Sequence, residues 1–275
     1  MQRSYLDYPI VLTEQQSGAN RLIILLHGFG ASLFSWRTVM KPLSELGQVI
    51  AYDRPGFGNT PTAERTESND PYSLAGQVQL LDAIIDKEAK GRDVILVGHS
   101  SGSLVAAEYT LRNPGKVKKL ILESPAIWRK APIPNFVGKL LRHRAFEKPM
   151  AKRLINFDKT GMQILYKSWF AEGGPSQEII DGYRQPLENP EWTLRFWRFL
   201  SASQKNQVRE NLWRFELPVL VITGQHDEII KVEYSFKVAE RIPGHKIYLV
   251  PEAGHLAHEE QAADFLRVVT NFIKK

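Results

Sequence analysis

Six short runs rich in Val, Ile and Leu recur along the chain, and none alternates with polar residues. They are Arg21–Leu26, Val49–Tyr52, Val94–Val97, Val117–Leu122, Val219–Thr223 and Lys246–Val250. Continuous apolar runs of this length predict strands buried on both faces of a parallel sheet. Helical spacing appears between them. Leu74, Val78, Leu81 and Ile85 fall at i, i+4, i+7 and i+11, and Ala262, Phe265, Leu266, Val269 and Phe272 form a similar stripe. Each stripe gives one apolar face to lay on a sheet. Strands alternating with such helices predict βαβ units and a mostly parallel sheet. The stretch Tyr5 to Leu12 predicts one or two antiparallel edge strands.

The alternation stops between about Pro125 and Leu212. Five helices are predicted there, roughly over 135–141, 149–157, 161–169, 177–184 and 191–203, with breaks at Gly173-Gly174-Pro175 and Asn189-Pro190. A helical block placed between two sheet strands predicts a cap on the core. The expected division is therefore a core of residues 1–124 and 213–275, with a helical cap insertion over 125–212.

A length of 275 residues with 43% hydrophobic and 24% charged positions suits one large α/β domain. The chain has no cysteine, which excludes disulfides, thiolate zinc sites and a catalytic Cys. Met1 to Pro9 contains no apolar core of signal-peptide length, and the run Leu22–Leu26 is far too short to span a bilayer. The expectation is a cytoplasmic protein.

The net charge of +6 is unevenly placed. Ten Lys or Arg and only two acids lie between Ala126 and Phe170, so the basic character belongs to the predicted cap. A basic amphipathic segment there is open to three readings: weak contact with an anionic membrane, steering of an acidic substrate, or a solvated face. No nucleic-acid recognition motif accompanies the charge, so nucleic-acid binding is not expected. Gly28-Phe29-Gly30 and Gly56-Phe57-Gly58 lack the third glycine of a dinucleotide-binding turn, and no Walker sequence is present.

The chemistry gathers where the predicted strands end. Gly98-His99-Ser100-Ser101-Gly102 fits G-x-S-x-G after one strand and before a predicted helix, the setting in which a serine hydroxyl is pushed out above a sheet edge. The bland alternative is a glycine-bounded turn with an idle serine. Such a hydroxyl needs a base within hydrogen-bond reach. His255 follows the last strand and so shares the rim with Ser100. His258 is its rival, more simply a surface or capping residue, while His27 and His99 are expected to shape loops. The base needs a carboxylate to fix its tautomer. Asp227 follows the fifth of the six apolar runs and completes the chain order Ser, Asp, His; Glu123 is the rival acid, and Asp53 a loop-structuring one. Backbone N–H groups of Phe29 and Ser101 are the expected oxyanion donors. Four of the six tryptophans, Trp128, Trp169, Trp192 and Trp197, lie in the predicted cap. They are the candidates to line a substrate pocket, although most cap aromatics are expected simply to pack.

Together His27-Gly28-Phe29-Gly30, Asp53-Arg54-Pro55-Gly56-Phe57-Gly58, Gly98-His99-Ser100-Ser101-Gly102, Gly224-Gln225-His226-Asp227 and Gly254-His255 resemble the cap-bearing α/β-hydrolase superfamily, in the right order over residues 20–275. The resemblance implies the α/β-hydrolase fold, a mostly parallel sheet flanked by helices with an inserted helical cap. It implies a Ser100–Asp227–His255 triad and no metal or organic cofactor. It does not fix the substrate. Epoxide hydrolases and dehalogenases of the superfamily carry Asp where Ser100 stands. Its perhydrolases and C–C bond hydrolases often carry Met where Ser101 stands, and the latter a Trp where Leu256 stands. The function expected is hydrolysis of a small-to-medium apolar carboxylic ester. A C–C or amide hydrolase with the same triad, and a low-turnover ligand receptor, stay as alternatives. Oligomeric state is left open.

Overall fold

The computed structural model of the chain describes residues 1–6, 8–16, 18–66, 69–128, 141–154 and 157–275. Eight strands form one sheet in the order β1-β2-β4-β3-β5-β6-β7-β8. The strands are β1 (Gln2–Tyr5), β2 (Tyr8–Gln15), β3 (Arg21–Leu26), β4 (Gln48–Tyr52), β5 (Asp93–His99), β6 (Lys119–Glu123), β7 (Val219–Gly224) and β8 (Lys246–Val250). The edge pair is antiparallel, with Gln2 opposite Val11, and β2 runs antiparallel to β4, with Leu12 opposite Tyr52. All later pairings are parallel.

Burial on both faces explains the unbroken apolar runs of β3 to β7, whereas β8, expected to be buried likewise, lies at the sheet edge and buries only Val250. Leu22, Ile24, Leu26, Leu96, Leu120, Leu122, Val219 and Val221 point into one core layer. Ile23, Leu25, Ile95, Val97, Ile121, Leu220 and Ile222 point into the other. The first layer is closed by helices α2 (Leu74–Glu88) and α3 (Ser101–Arg112); the predicted stripe Leu74, Val78, Leu81 and Ile85 is buried there. Ser73 starts α2 by accepting a hydrogen bond from Gly76 N–H at 3.0 Å. The second layer is closed by α1 (Arg37–Leu43) and the C-terminal helix Ala262–Lys274, whose Phe265 and Val269 are fully buried.

Between β6 and β7 the described residues include four helices of eight or more residues, Arg144–Arg153, Phe157–Lys167, Gln177–Arg184 and Trp192–Ser201. The first begins earlier than its periodicity predicts, because His143 caps Ala145 N–H and Pro149 is carried inside the helix. The helix predicted over 135–141 lies almost wholly outside the described residues. The break at Gly173-Gly174 is set by positive φ angles of 85° and 70°.

This inserted segment is tied to the loop after β4 by a buried charge cluster. Glu147 pairs with Arg65 at 2.6 Å and with Arg198 at 3.0 Å, and Arg198 also donates to Ala63 O. Part of the basic run is therefore engaged within the fold: Arg142 lies 3.7 Å from Asp70, and Lys167 lies 3.8 Å from Glu228. Arg129, Lys130 and Lys139 fall outside the described residues. No helix among the described residues is long and apolar enough to cross a membrane.

Candidate active site

Ser100 stands between the end of β5 and the start of α3. Its φ of 52° and ψ of −116° form a strained turn that only tight surroundings hold in place. The surroundings are its flanking glycines. A side chain at Gly98 would come within 2.6 Å of Ser103 Cα, and one at Gly102 would run into the backbone oxygen of Leu26. Ser100 N–H donates to Glu123 O at 2.8 Å, which ties the turn to the end of β6. The result is a serine on the wall of a partly open pocket, shared with His99, His255 and Phe29.

His255 and Asp227 come from the loops after β8 and β7, 28 residues apart in the chain, and meet at 2.8 Å between Nδ1 and Oδ2. The other carboxylate oxygen accepts N–H bonds from Ile229 at 2.9 Å and Ile230 at 2.8 Å. Burial opposes ionisation of Asp227, but the adjoining His255 and the hydrogen bonds to His255 and Ile230 N–H outweigh it and hold the carboxyl below its ordinary range. An ionised carboxylate on Nδ1 makes that nitrogen the donor and leaves Nε2 free to accept a proton. The backbone of His255 is fixed on both sides: its N–H donates to Ser168 O at 2.8 Å, and its carbonyl accepts from His99 Nε2 at 3.0 Å.

The other sequence candidates are placed as follows. Phe29 lines the cavity, and its neighbour Gly28 packs so closely that a side chain there would come within 3.2 Å of Ser100 Cβ. Ser101 is the first residue of α3, so its N–H has no acceptor one turn back inside the helix. Its hydroxyl accepts from the buried Arg54 at 2.8 Å. His27 shapes the loop, with Nδ1 donating to Gly28 O and Nε2 accepting from Arg54 N–H. Asp53 organises two loops by accepting from Leu33 and Asn59 N–H.

The pocket has a volume of about 180 Å³. Aromatic rings form one wall, with Phe29 5.2 Å from Phe196 and Phe57 6.1 Å from Phe196 between ring centres; Met162, Leu165 and Leu256 are among the other apolar lining residues. Of the four candidate tryptophans only Trp192 reaches it. Trp197 is buried away from the cavity, because the helix presents residues 192, 195 and 196 there and 197 points off that face. Trp169 packs beside Met162, Leu165 and Ile180, and the Trp128 ring meets the guanidinium groups of Arg209 and Arg241, 5.1 and 4.8 Å from its centre. These three do not line the pocket.

A second histidine–carboxylate pair lies behind the first. His258 is not at the surface as the sequence led us to expect. It is fully buried, 2.8 Å from Glu123 Oε2 through Nδ1, with its ring 4.3 Å from that of Trp36. Burial disfavours its charge, but Glu123 outweighs this and raises the His258 pKa above the ordinary value. The rival acid Glu123 is thus committed to His258, by its side chain and by its backbone N–H at 3.0 Å. The signal in the sequence was weak, since the two residues are 135 apart.

A family model described as alpha/beta hydrolase fold matches residues 21–262. The chain is 25% identical to an uncharacterized hydrolase, YugF, of Bacillus subtilis over 259 residues, covering 94% of this chain and 92% of that protein. It is 26% identical to a 2-hydroxy-6-oxo-2,4-heptadienoate hydrolase of Pseudomonas putida over 278 residues, covering 93% of this chain and 90% of the relative. A thermophilic esterase structure from Thermogutta terrifontis superposes with a TM-score of 0.78 at 19% identity, covering 100% of this chain and 97% of the other. With the family model matched over most of its length, this chain belongs to the α/β-hydrolase-fold family.

Proposed function

We propose that the protein is a serine hydrolase of small-to-medium apolar carboxylic esters, working through an acyl-enzyme. The observation that carries the proposal is the convergence of three groups: Ser100 on a strained turn, His255 lining the same pocket, and Asp227 bonded to His255. In the proposed reaction Ser100 Oγ attacks the ester carbonyl as His255 Nε2 takes its proton. Asp227 stabilises the imidazolium. The N–H groups of Phe29 and Ser101 hold the developing oxyanion. The alcohol leaves with the proton from His255. Water then repeats the sequence on the acyl-enzyme, and the carboxylic acid departs.

The apolar walls and the volume support an apolar acyl group of modest size. A cavity of roughly 150 Å³ holds a benzene-sized molecule, so 180 Å³ accepts an acyl group of about six to eight non-hydrogen atoms. The segment between β6 and β7 acts as the cap that supplies Met162, Leu165 and Trp192 to this pocket. A C–C bond hydrolase using the same three residues is the second reading, favoured by the Pseudomonas relative. Hydrolysis of p-nitrophenyl esters from acetyl to palmitoyl separates the readings. The proposal expects an optimum between butanoyl and octanoyl, abolished in Ser100→Ala. No turnover of any ester by the folded wild type would move the assignment to the C–C reading.

A further inference from the structure

The loop that carries His255 is not closed by the core alone. Glu260 stands five residues further on, in the short helix Ala257–Glu260, and its carboxylate divides its bonds between two parts of the molecule. Oε2 accepts from Gly254 N–H at 2.6 Å, directly before His255. Oε1 accepts from Phe170 N–H at 2.7 Å and Ala171 N–H at 3.1 Å, both in the inserted segment. Two further contacts continue the seam. Ser168 O accepts the His255 N–H, and the Phe170 ring stacks flat on His226 at 3.8 Å, one residue before Asp227. Residues 168–171 therefore touch the loop of the base and the loop of the acid, and one carboxylate bridges three of the N–H groups involved. Next to it, Glu259 bonds both Arg37 of the core and Tyr183 of the inserted segment.

We propose that Glu260 is a positioning residue for His255, clasping residues 168–171 onto the base-bearing loop so that alignment of the base depends on seating of the cap. The proposal rests on the reading of His255 as the base. A carboxylate is the side chain suited to this place, because it offers two acceptor oxygens and no donor to three N–H groups. Gln offers one acceptor oxygen, so it serves either Gly254 or the cap segment. Ala serves neither. The cap is then part of the frame of the active site and more than a roof over the substrate.

The test compares wild type, Glu260→Ala and Glu260→Gln in two measurements. The first is kcat and KM on p-nitrophenyl butanoate. A misplacement of about 1 Å lowers a rate by roughly 100-fold, so Glu260→Ala is expected to lose about 30- to 100-fold in kcat with KM within about twofold, and Glu260→Gln to lie between it and wild type. The second is the low-field proton resonance of the His255 Nδ1–H bonded to Asp227, read by NMR on histidine-labelled protein. It is expected in wild type and lost or broadened in folded Glu260→Ala. A clasp that only stabilises the fold would lower the melting temperature and leave both readouts in place. Retention of the resonance in Glu260→Ala, or a kcat within threefold of wild type, overturns the proposal. If wild type cleaves no ester, the functional reading fails by itself, and the resonance still decides the role of Glu260.

Discussion

Replacement of Asp227 by Asn should abolish most activity while leaving the fold intact, and the structure says why. The amide is not free to choose its orientation. Ile229 and Ile230 N–H both point at Oδ1, at 2.9 and 2.8 Å, so the amide oxygen must face them. The NH2 group is then turned toward His255 Nδ1, where it donates. His255 is forced to carry its proton on Nε2, and that nitrogen can no longer accept the Ser100 proton as the proposed reaction requires. In a serine protease of unrelated fold the same wrong tautomer lowers kcat about 10⁴-fold. At about 1.36 kcal/mol per tenfold, a loss of this size equals about 5.4 kcal/mol of transition-state stabilisation. Because the two backbone bonds survive, the melting temperature should fall by only a few degrees, about 2–4 °C per kcal/mol in a chain of this length. Steady-state hydrolysis of p-nitrophenyl butanoate and a thermal melt of the same preparation measure both quantities. A kcat for Asp227→Asn within tenfold of wild type would refute the tautomer argument.

Three further outcomes follow from the same geometry. The Glu123–His258 pair makes stability depend on pH: a histidine with a raised folded pKa contributes fully below about pH 6.5 and loses that contribution as the pH rises through its folded value. Glu123→Gln should therefore lower urea stability by about 3–5 kcal/mol at pH 6 and less at pH 9; parallel pH profiles for the two proteins would contradict this. Trp192→Ala removes a cavity wall and should move the acyl-chain optimum to longer esters in the chain-length series; an unchanged optimum would show that the acyl group lies elsewhere. Glu147→Gln leaves Arg65 and Arg198 short of their shared buried partner and should cost about 3 kcal/mol or more, read by urea denaturation.

Much of the fold was legible in the sequence because the central strands β3 to β7 are buried on both faces. The alternation of Ile23 and Leu25 with Leu22 and Ile24 between two core layers leaves no polar position to obscure the run. The candidate residues were legible because each follows a strand in a short, glycine-marked loop. The structure brings Asp227 and His255 into contact and places Ser100 with His255 on one cavity.

What escaped the sequence depends on helix phase and on distant pairing. Trp197 differs from Trp192 only in which side of one helix it occupies, and helix phase relative to the cavity is set by how the inserted segment docks. His258 looked like a surface residue because its partner Glu123 ends β6, 135 residues earlier in the chain. Glu260 left no signal, since its partners are backbone N–H groups of residues 170, 171 and 254, which any sequence supplies.

Formation of the proposed covalent intermediate at Ser100 can be read by mass spectrometry of the intact protein after treatment with a fluorophosphonate. A single adduct that maps to Ser100 is expected on wild type, with no adduct and no ester hydrolysis in folded Ser100→Ala. An adduct on another residue, or hydrolysis that persists in the Ser100→Ala protein, would contradict it.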